Sequence, residues 1–296
     1  MKILPLNIIL LWLIIGCHAE CAKMGDGILR EKASIVSVEV QTITATEKWI
    51  LSDVRLVTEN EDTIQGRIRR PAIEDRSYPL AFLVVGIETG KEVVSMITGY
   101  DSIIVFSIDY PYSGEMDFSG WKGLTTILAL RTVGFKSVGN IMASLDWLSS
   151  LQDVDTTDIS IIAVSFGVFT GVPAAVFDRR VDRLAVVQAG GDLQKILATN
   201  SERMHASVPA WFAGWLGSQI LAPFEPNTYI GSLSPRPFLL VSGESDQLFP
   251  AESIQSLYDH ARDPKEWIKH RSGHVDPSMR NLIMELAEIV GEKYYP

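Results

Sequence analysis

The chain has 296 residues, 47% hydrophobic and 21% charged, ordinary figures for one large globular domain or two small ones. Asp and Glu outnumber Lys and Arg by 36 to 26, and the net charge of −10 argues against nucleic acid or an acidic membrane face as partner. The two cysteines, Cys17 and Cys21, both lie near the N-terminus, which leaves the body without a disulfide or a thiolate metal site.

Met1-Lys2 is a short basic start, and Ile3 to Ile15 is almost wholly apolar. The run is too short for a comfortable transmembrane helix and fits the apolar region of a signal peptide. Ile14-Ile15-Gly16-Cys17 resembles the bacterial lipoprotein box. That resemblance implies cleavage before Cys17, lipidation of its thiol, and a mature protein anchored in the cell envelope. The alternative is an ordinary secretory signal cut nearby, for instance after Ala19, which gives a secreted or periplasmic soluble protein. Residues 1–16 are thus expected to be a signal peptide, and 17–34, small and charged towards 33, a tether.

Residues 35–70 read as an antiparallel hairpin. Val36, Val38 and Val40 alternate, as do Ile64 and Ile68 around Gly66, and Asn60-Glu61-Asp62 is a polar turn. From Tyr78 the rhythm changes to strands separated by helical patterns, which argues for a parallel sheet. Leu80–Val85 and Ile103–Ile108 are short continuous apolar runs, as fully buried strands should be, with a short helix over Lys91–Thr98 between them. Val138, Ile141, Met142, Leu145 and Leu148 follow the helical period.

Ile159 to Ala163 reads as a buried strand, followed by Ala163-Val164-Ser165-Phe166-Gly167 and then a helix. Small-x-Ser-x-Gly between a strand and a helix is the nucleophile-elbow pattern. A sharp turn there lifts the Ser165 hydroxyl off the sheet. It also sets the Phe166 amide at a helix N-terminus, where N–H groups lack partners and favour negative charge. Pro173 falls inside that helix and predicts a short first helix or a kink.

Leu184–Ala189, Pro237–Gly243 and Glu266–His270 are further strands. Asp276, with Pro277 at the first helical position, is expected to cap a closing helix. Its buried face is Leu282, Ile283, Leu286, Ile289 and Val290. The long interval from about 192 to 234 carries Trp211, Phe212 and Trp215. It reads either as a helical insert covering the site or as a longer crossover with a core aromatic cluster. The first reading places at least one of these aromatics against substrate: residues 211 and 215 share a helix face and 212 occupies the next.

A serine hydroxyl is a weak nucleophile without a base, usually a His held by a carboxylate. Of the five histidines, His18 lies in the tether, His205 in the insert, His260 on a helix pattern and His270 inside a strand. His274, in a loop just past the last strand, is the one placed to reach over the strand ends. Gly243-Glu244-Ser245-Asp246 directly follows a buried strand, where open parallel sheets put their sites. Asp246 is the preferred carboxylate over Glu244.

The order Ser165, Asp246, His274, each in a loop after a strand, is that of the α/β-hydrolases. From about Ile35 onward the chain resembles that superfamily, in particular its serine-esterase and prolyl-oligopeptidase-like members. The carrying segments are Ala163–Gly167, Pro235–Asp246 and Ser272-Gly273-His274, with Asp109–Gly114 resembling the loop after the family's fourth strand. The resemblance implies a mostly parallel central sheet with helices on both faces and a helical lid insert, in one domain over 35–296. It also implies an oxyanion hole made by the amides of Phe166 and Ile87, although Val85-Gly86-Ile87 lacks the frequent His-Gly form.

Two functional classes follow. The first is a serine hydrolase acting on a carboxylic ester, with no cofactor or metal and with an amide or peptide substrate as its nearest variant. Ser165 excludes the nucleophilic Asp that dehalogenases of this superfamily use. The second is a non-catalytic binding module on the same fold; the presence of all three triad residue types argues against it.

Overall fold

A computed structural model describes residue 27 and residues 31–295, apart from 74, 75, 202 and 204–206. The expected signal peptide, Cys17 with its lipid, most of the tether and His205 lie outside the described residues. Among the described residues, no helix is long and apolar enough to cross a membrane.

The body opens with three antiparallel strands, β1 (Ile35–Ala45), β2 (Trp49–Thr58) and β3 (Thr63–Pro71). The single hairpin expected over 35–70 is therefore a meander with a second turn at 46–48. No Gly or Pro marks that turn. The Thr46 hydroxyl makes it instead, accepting the N–H groups of Lys48 at 3.3 Å and Trp49 at 3.0 Å.

Six more strands follow: β4 (Tyr78–Val84), β5 (Ile104–Ile108), β6 (Val154–Val164), β7 (Arg183–Val187), β8 (Phe238–Gly243) and β9 (Lys265–His270). All nine form one sheet in the order β1-β2-β3-β5-β4-β6-β7-β8-β9. β3 meets β5 antiparallel, and from β5 to β9 every pairing is parallel. The continuous apolar runs are explained by burial on both faces. Leu80, Phe82 and Val84 of β4 enter one core and Ala81 and Leu83 the other. Leu240 of β8 likewise faces one way while Leu239 and Val241 face the other.

Among the described residues, eight α-helices cover the faces. α1 (Val93–Met96) and α8 (Arg280–Tyr294) pack on one side. α2 (Gly120–Leu148), α3 (Val168–Phe177), α6 (Pro226–Ile230) and α7 (Ala251–His260) pack on the other. α4 (Leu193–Asn200) and α5 (Ala210–Ile220) complete the insert. α2 starts well before the periodic stretch around Val138. α3 runs through Pro173 to Phe177; the proline forfeits one hydrogen bond, and buried Val168, Val172, Ala174 and Ala175 hold the helix against the sheet. α8 begins at Arg280 rather than Pro277, because Asp276 closes a turn of its own, accepting from Ser278 N–H at 2.9 Å and Ser278 Oγ at 2.6 Å.

The two ends of the insert are tied by Glu225. Its carboxylate accepts the N–H groups of Asp192 at 2.9 Å and Leu193 at 2.6 Å, while the Asp192 carboxylate accepts Lys195 N–H at 3.2 Å. Free amides at the start of α4 are thereby satisfied by negative charge, which that helix end favours.

Candidate active site

β6 ends at Val164, and Ser165 opens a 3₁₀ turn, Ser165–Gly167, that runs into α3. Ser165 adopts φ 52°, the left-handed region, which costs an ordinary residue of order 1–3 kcal/mol and needs surrounding structure to impose it. The constraint is visible at Gly167: a Cβ there would sit 1.9 Å from the Val84 carbonyl oxygen. Any side chain at 167 would push the turn off β4. Ala163, two positions before the serine, is wholly buried. The small-x-Ser-x-Gly pattern is therefore a packing requirement of this turn.

Ser165 Oγ lies 2.8 Å from His274 Nε2, and His274 Nδ1 lies 2.8 Å from Asp246 Oδ2. The Asp246 side chain is 1% exposed and that of His274 12%. The second Asp246 oxygen accepts the N–H groups of Leu248 at 2.8 Å and Phe249 at 3.0 Å. These bonds fix the carboxylate so that one oxygen faces the imidazole. Glu244 is exposed and takes no part. His260 bonds the Ser256 carbonyl and His270 pairs with Glu285, so neither competes for Ser165. The His274 ring also stacks on Phe249 at 5.7 Å and 21°, and Phe249 in turn stacks on Phe169.

The strand expected over Leu184–Ala189 contains Gln188, a residue with no expected role in the site. The structure places it just past the end of β7, wholly buried and at φ 49°. Its Nε2 donates to Ser272 Oγ at 2.9 Å, and its Oε1 accepts Val275 N–H at 2.6 Å. One amide side chain thus clasps the loop on both sides of His274. The only signal in the sequence was a polar residue closing an otherwise apolar strand.

Phe166 follows the serine at the start of the helix, where amides have no intrahelical acceptor. Ile87 lies in a turn closed by the N–H groups of Thr89 and Gly90 bonding the Gly86 carbonyl. No acceptor among the described residues takes the Ile87 N–H. Asp109, at the end of β5, anchors this turn by accepting Lys91 N–H at 2.9 Å. Gly90 adopts φ +46° there, which glycine tolerates, and a Cβ would besides meet Asp109 Oδ1 at 2.3 Å.

Two cavities open at Ser165. The larger, about 690 Å³, takes in Gly86, Ile87 and His274 and runs between the sheet and α8. The smaller, about 320 Å³, lies under the insert, against α2 and α4. Ser165, Phe166, Met116, Arg203 and Leu248 border both. Tyr110 lines the smaller one, its hydroxyl 3.1 Å from Thr170 Oγ1, and burial pushes its phenol above the usual range. Among the described residues no group of three or more His, Cys, Asp or Glu side chains could hold a metal ion.

The insert does reach the nucleophile, but not through Trp211, Phe212 or Trp215. Leu193, Ile196 and Leu197 of α4, with Leu221 and Phe224, line the smaller cavity. Trp211, Phe212 and Trp215 line neither. They contact one another in series, and Trp211 is 69% exposed. The reason lies on the opposite side of α5. A Cβ at Gly214 would meet the Gln194 carbonyl at 2.4 Å, and one at Gly217 would meet Leu197 at 2.7 Å. α5 docks on α4 through its glycines, which leaves the Trp211 ring facing outward.

Sheet order, the turn carrying Ser165 and the disposition of the helices make this an α/β-hydrolase fold. A family model described as "Serine hydrolase (FSH1)" matches residues 187–286, a segment that includes Asp246 and His274 but not Ser165. No curated protein matches the chain. Among solved structures the chain is similar to an acetyl xylan esterase from Paenibacillus sp. R4, at 18% identity and TM-score 0.65, covering 96% of this chain and 94% of that one. It is also similar to acetyl xylan esterase 1 from Thermoanaerobacterium sp. JW/SL YS485, at 12% identity and TM-score 0.66, covering 94% of each. A cold-adapted esterase from an Arctic intertidal metagenomic library matches at 14% identity and TM-score 0.57, over 88% of this chain and 100% of that one.

Proposed function

We propose that the protein is a serine hydrolase that cleaves a carboxylic ester through an acyl-enzyme on Ser165. The observation that carries this reading is the relay of two 2.8 Å hydrogen bonds from Ser165 through His274 to Asp246. The match to the serine-hydrolase family model and the likeness to solved esterases support it.

His274 Nε2 takes the Ser165 proton as Oγ attacks the ester carbonyl carbon. Asp246 holds the ring with Nδ1–H towards itself and balances the imidazolium that forms. The carbonyl oxygen, now negative, is received by the amides of Phe166 and Ile87. Collapse breaks the ester C–O bond, and His274 hands its proton to the departing alcohol. Water then gives a proton to His274 and attacks the acyl carbon, and the carboxylic acid leaves as Ser165 regains its hydrogen.

The test is labelling with a fluorophosphonate, together with hydrolysis of p-nitrophenyl butyrate. One equivalent of label on Ser165, lost in Ser165→Ala along with turnover, supports the reading. A folded protein that takes no label would be a binding module on a hydrolase fold. For localisation, the Ile14–Cys17 pattern supports lipid attachment at Cys17 and an envelope-anchored mature protein. Mass spectrometry of the mature N-terminus tests that, and an unmodified N-terminus beyond Cys17 would make it a secreted protein.

A further inference from the structure

The larger cavity is deeper than cleavage of a small acyl group requires, and its shape has a cause in the fold. α1 has only four residues, too few to cover the β4–β5 face, and α8 stands across the gap. Small residues, Ala81 on β4 and Ala287 and Gly291 on α8, line the hollow that remains. Leu83, Val105, Ile162, Val187, Leu286 and Val290 make up much of its wall. Polar side chains such as Glu88, Gln247 and Asp276 border it from loops at the strand ends, on the Ser165 side.

The cavity runs along the strands. Ser165 and Gly86 stand past the C-terminal ends of β6 and β4, whereas Ala81 pairs with Ser160, five residues before the nucleophile. At that inner end stand Tyr295, whose hydroxyl bonds Ser160, and Tyr100, whose ring occupies the space beside Gly291. From Ala81 to Val85 the strand advances about 13 Å at ~3.3 Å per residue. An extended chain advances about 1.2 Å per bond, which makes that depth roughly ten to eleven bonds.

We propose that this cavity seats a linear medium-chain acyl group, of roughly eight to twelve carbons by that reach, with its carbonyl at Ser165. This rests on the esterase reading above and gives its substrate class. The acyl arm, not the alcohol, belongs inside. The acyl group stays bonded to Ser165 Oγ through the first half of the reaction, whereas the alcohol must leave and water must enter by the same mouth. An alcohol lodged in the interior would have to back out past the acyl-enzyme. An aliphatic wall rewards each buried methylene by about 0.8 kcal/mol, up to roughly fourfold in kcat/KM per carbon. An acetyl group would leave the cavity unfilled.

The experiment measures kcat/KM on p-nitrophenyl esters from acetate to palmitate, and on alkyl acetates from ethyl to decyl. Both series are run for the wild-type protein and for Ala287→Leu and Ala287→Phe. Decanoic acid binding to Ser165→Ala, alone and combined with Ala287→Phe, is measured by calorimetry. The expected result is a rise to a maximum between octanoate and dodecanoate. The decanoate-to-acetate ratio then falls stepwise from Ala to Leu to Phe, by at least tenfold overall, in variants whose melting temperature shows them folded. Decanoic acid binding weakens in parallel. A wild-type preference for acetate, an unchanged ratio in folded variants, or a loss confined to the alkyl-acetate series would overturn the proposal. If no ester is cleaved but decanoic acid binds and Ala287→Phe abolishes binding, the seat stands and the esterase reading falls. Should Ala287→Phe fail to fold, the Ala287→Leu step in kcat/KM and decanoic acid binding to Ser165→Ala combined with Ala287→Leu decide alone.

Discussion

Gln188 Oε1 accepts the Val275 N–H at 2.6 Å, holding the residue directly after His274 from a position 87 residues earlier in the chain. With Ser272 bound to the other end of the same amide, the base loop is pinned to the end of β7, beside the strand that delivers Ser165. Gln188 touches none of the reacting atoms and is a positioning residue.

Replacing Gln188 with Ala should therefore lower kcat about ten- to hundredfold, the scale on which a misplaced catalytic group is felt, with KM changing little. The rate of fluorophosphonate labelling should fall by a similar factor. A purely structural role would lower the melting temperature while leaving the labelling rate of the folded fraction intact. Gln188→Glu keeps the Val275 acceptor and loses the donor to Ser272, so it should fall between wild type and Gln188→Ala.

Asp246→Asn should reduce kcat by about four orders of magnitude, because an amide at this position favours the wrong imidazole tautomer. Combining it with Ser165→Ala should cost no more than Ser165→Ala alone, since residues that act as one unit are non-additive. Steady-state kinetics on one ester with all three proteins checks this.

Gly167→Ala should fail at the level of the fold. The added Cβ lands 1.9 Å from the Val84 carbonyl oxygen, against backbone that cannot swing aside. A cost of at least about 1–3 kcal/mol is expected from overpacking of this kind, read as a lowered denaturation midpoint or as insoluble protein. Unchanged stability would mean that the elbow sits farther from β4 than described.

Trp211→Ala should do little. The ring is 69% exposed and borders neither cavity. Stability should stay within about 0.5 kcal/mol and the acyl chain-length profile should not move. Leu197→Ala, which enlarges the smaller cavity beside Ser165, should instead change kcat/KM across the ester panel. Parallel ester panels on the two variants separate these outcomes.

Asp276 is held below the usual carboxylate range by the Ser278 hydroxyl and N–H. Its folded pKa is depressed, so whatever stability it adds is present above the ordinary carboxylate pKa and lost as pH falls through the folded one. Asp276→Asn should make that part of the acid unfolding limb less steep, as followed by circular dichroism.

Local chemistry was enough to read the sheet core and the turn at Ser165. A strand buried on both faces must be apolar throughout, so β4 to β8 announce themselves over short windows. The turn at Ser165 admits only small neighbours, and that requirement is written within five residues. Asp246 was a candidate because it lies three residues past the apolar β8, and His274 because it lies in the loop four residues past β9, in the order this fold uses. What the sequence could not settle was which distant surfaces meet. Trp211, Phe212 and Trp215 looked like substrate contacts, yet a helix's inward face is set by its partner, and α4 receives the glycines of α5 instead. Gln188 showed only as a polar residue closing an apolar run, because its two partners lie on another loop, brought alongside only when β7 and β9 flank β8. The deep cavity exists because α1 is short and α8 bridges the gap. Neither fact bears on the other until the sheet has placed both helices on one face.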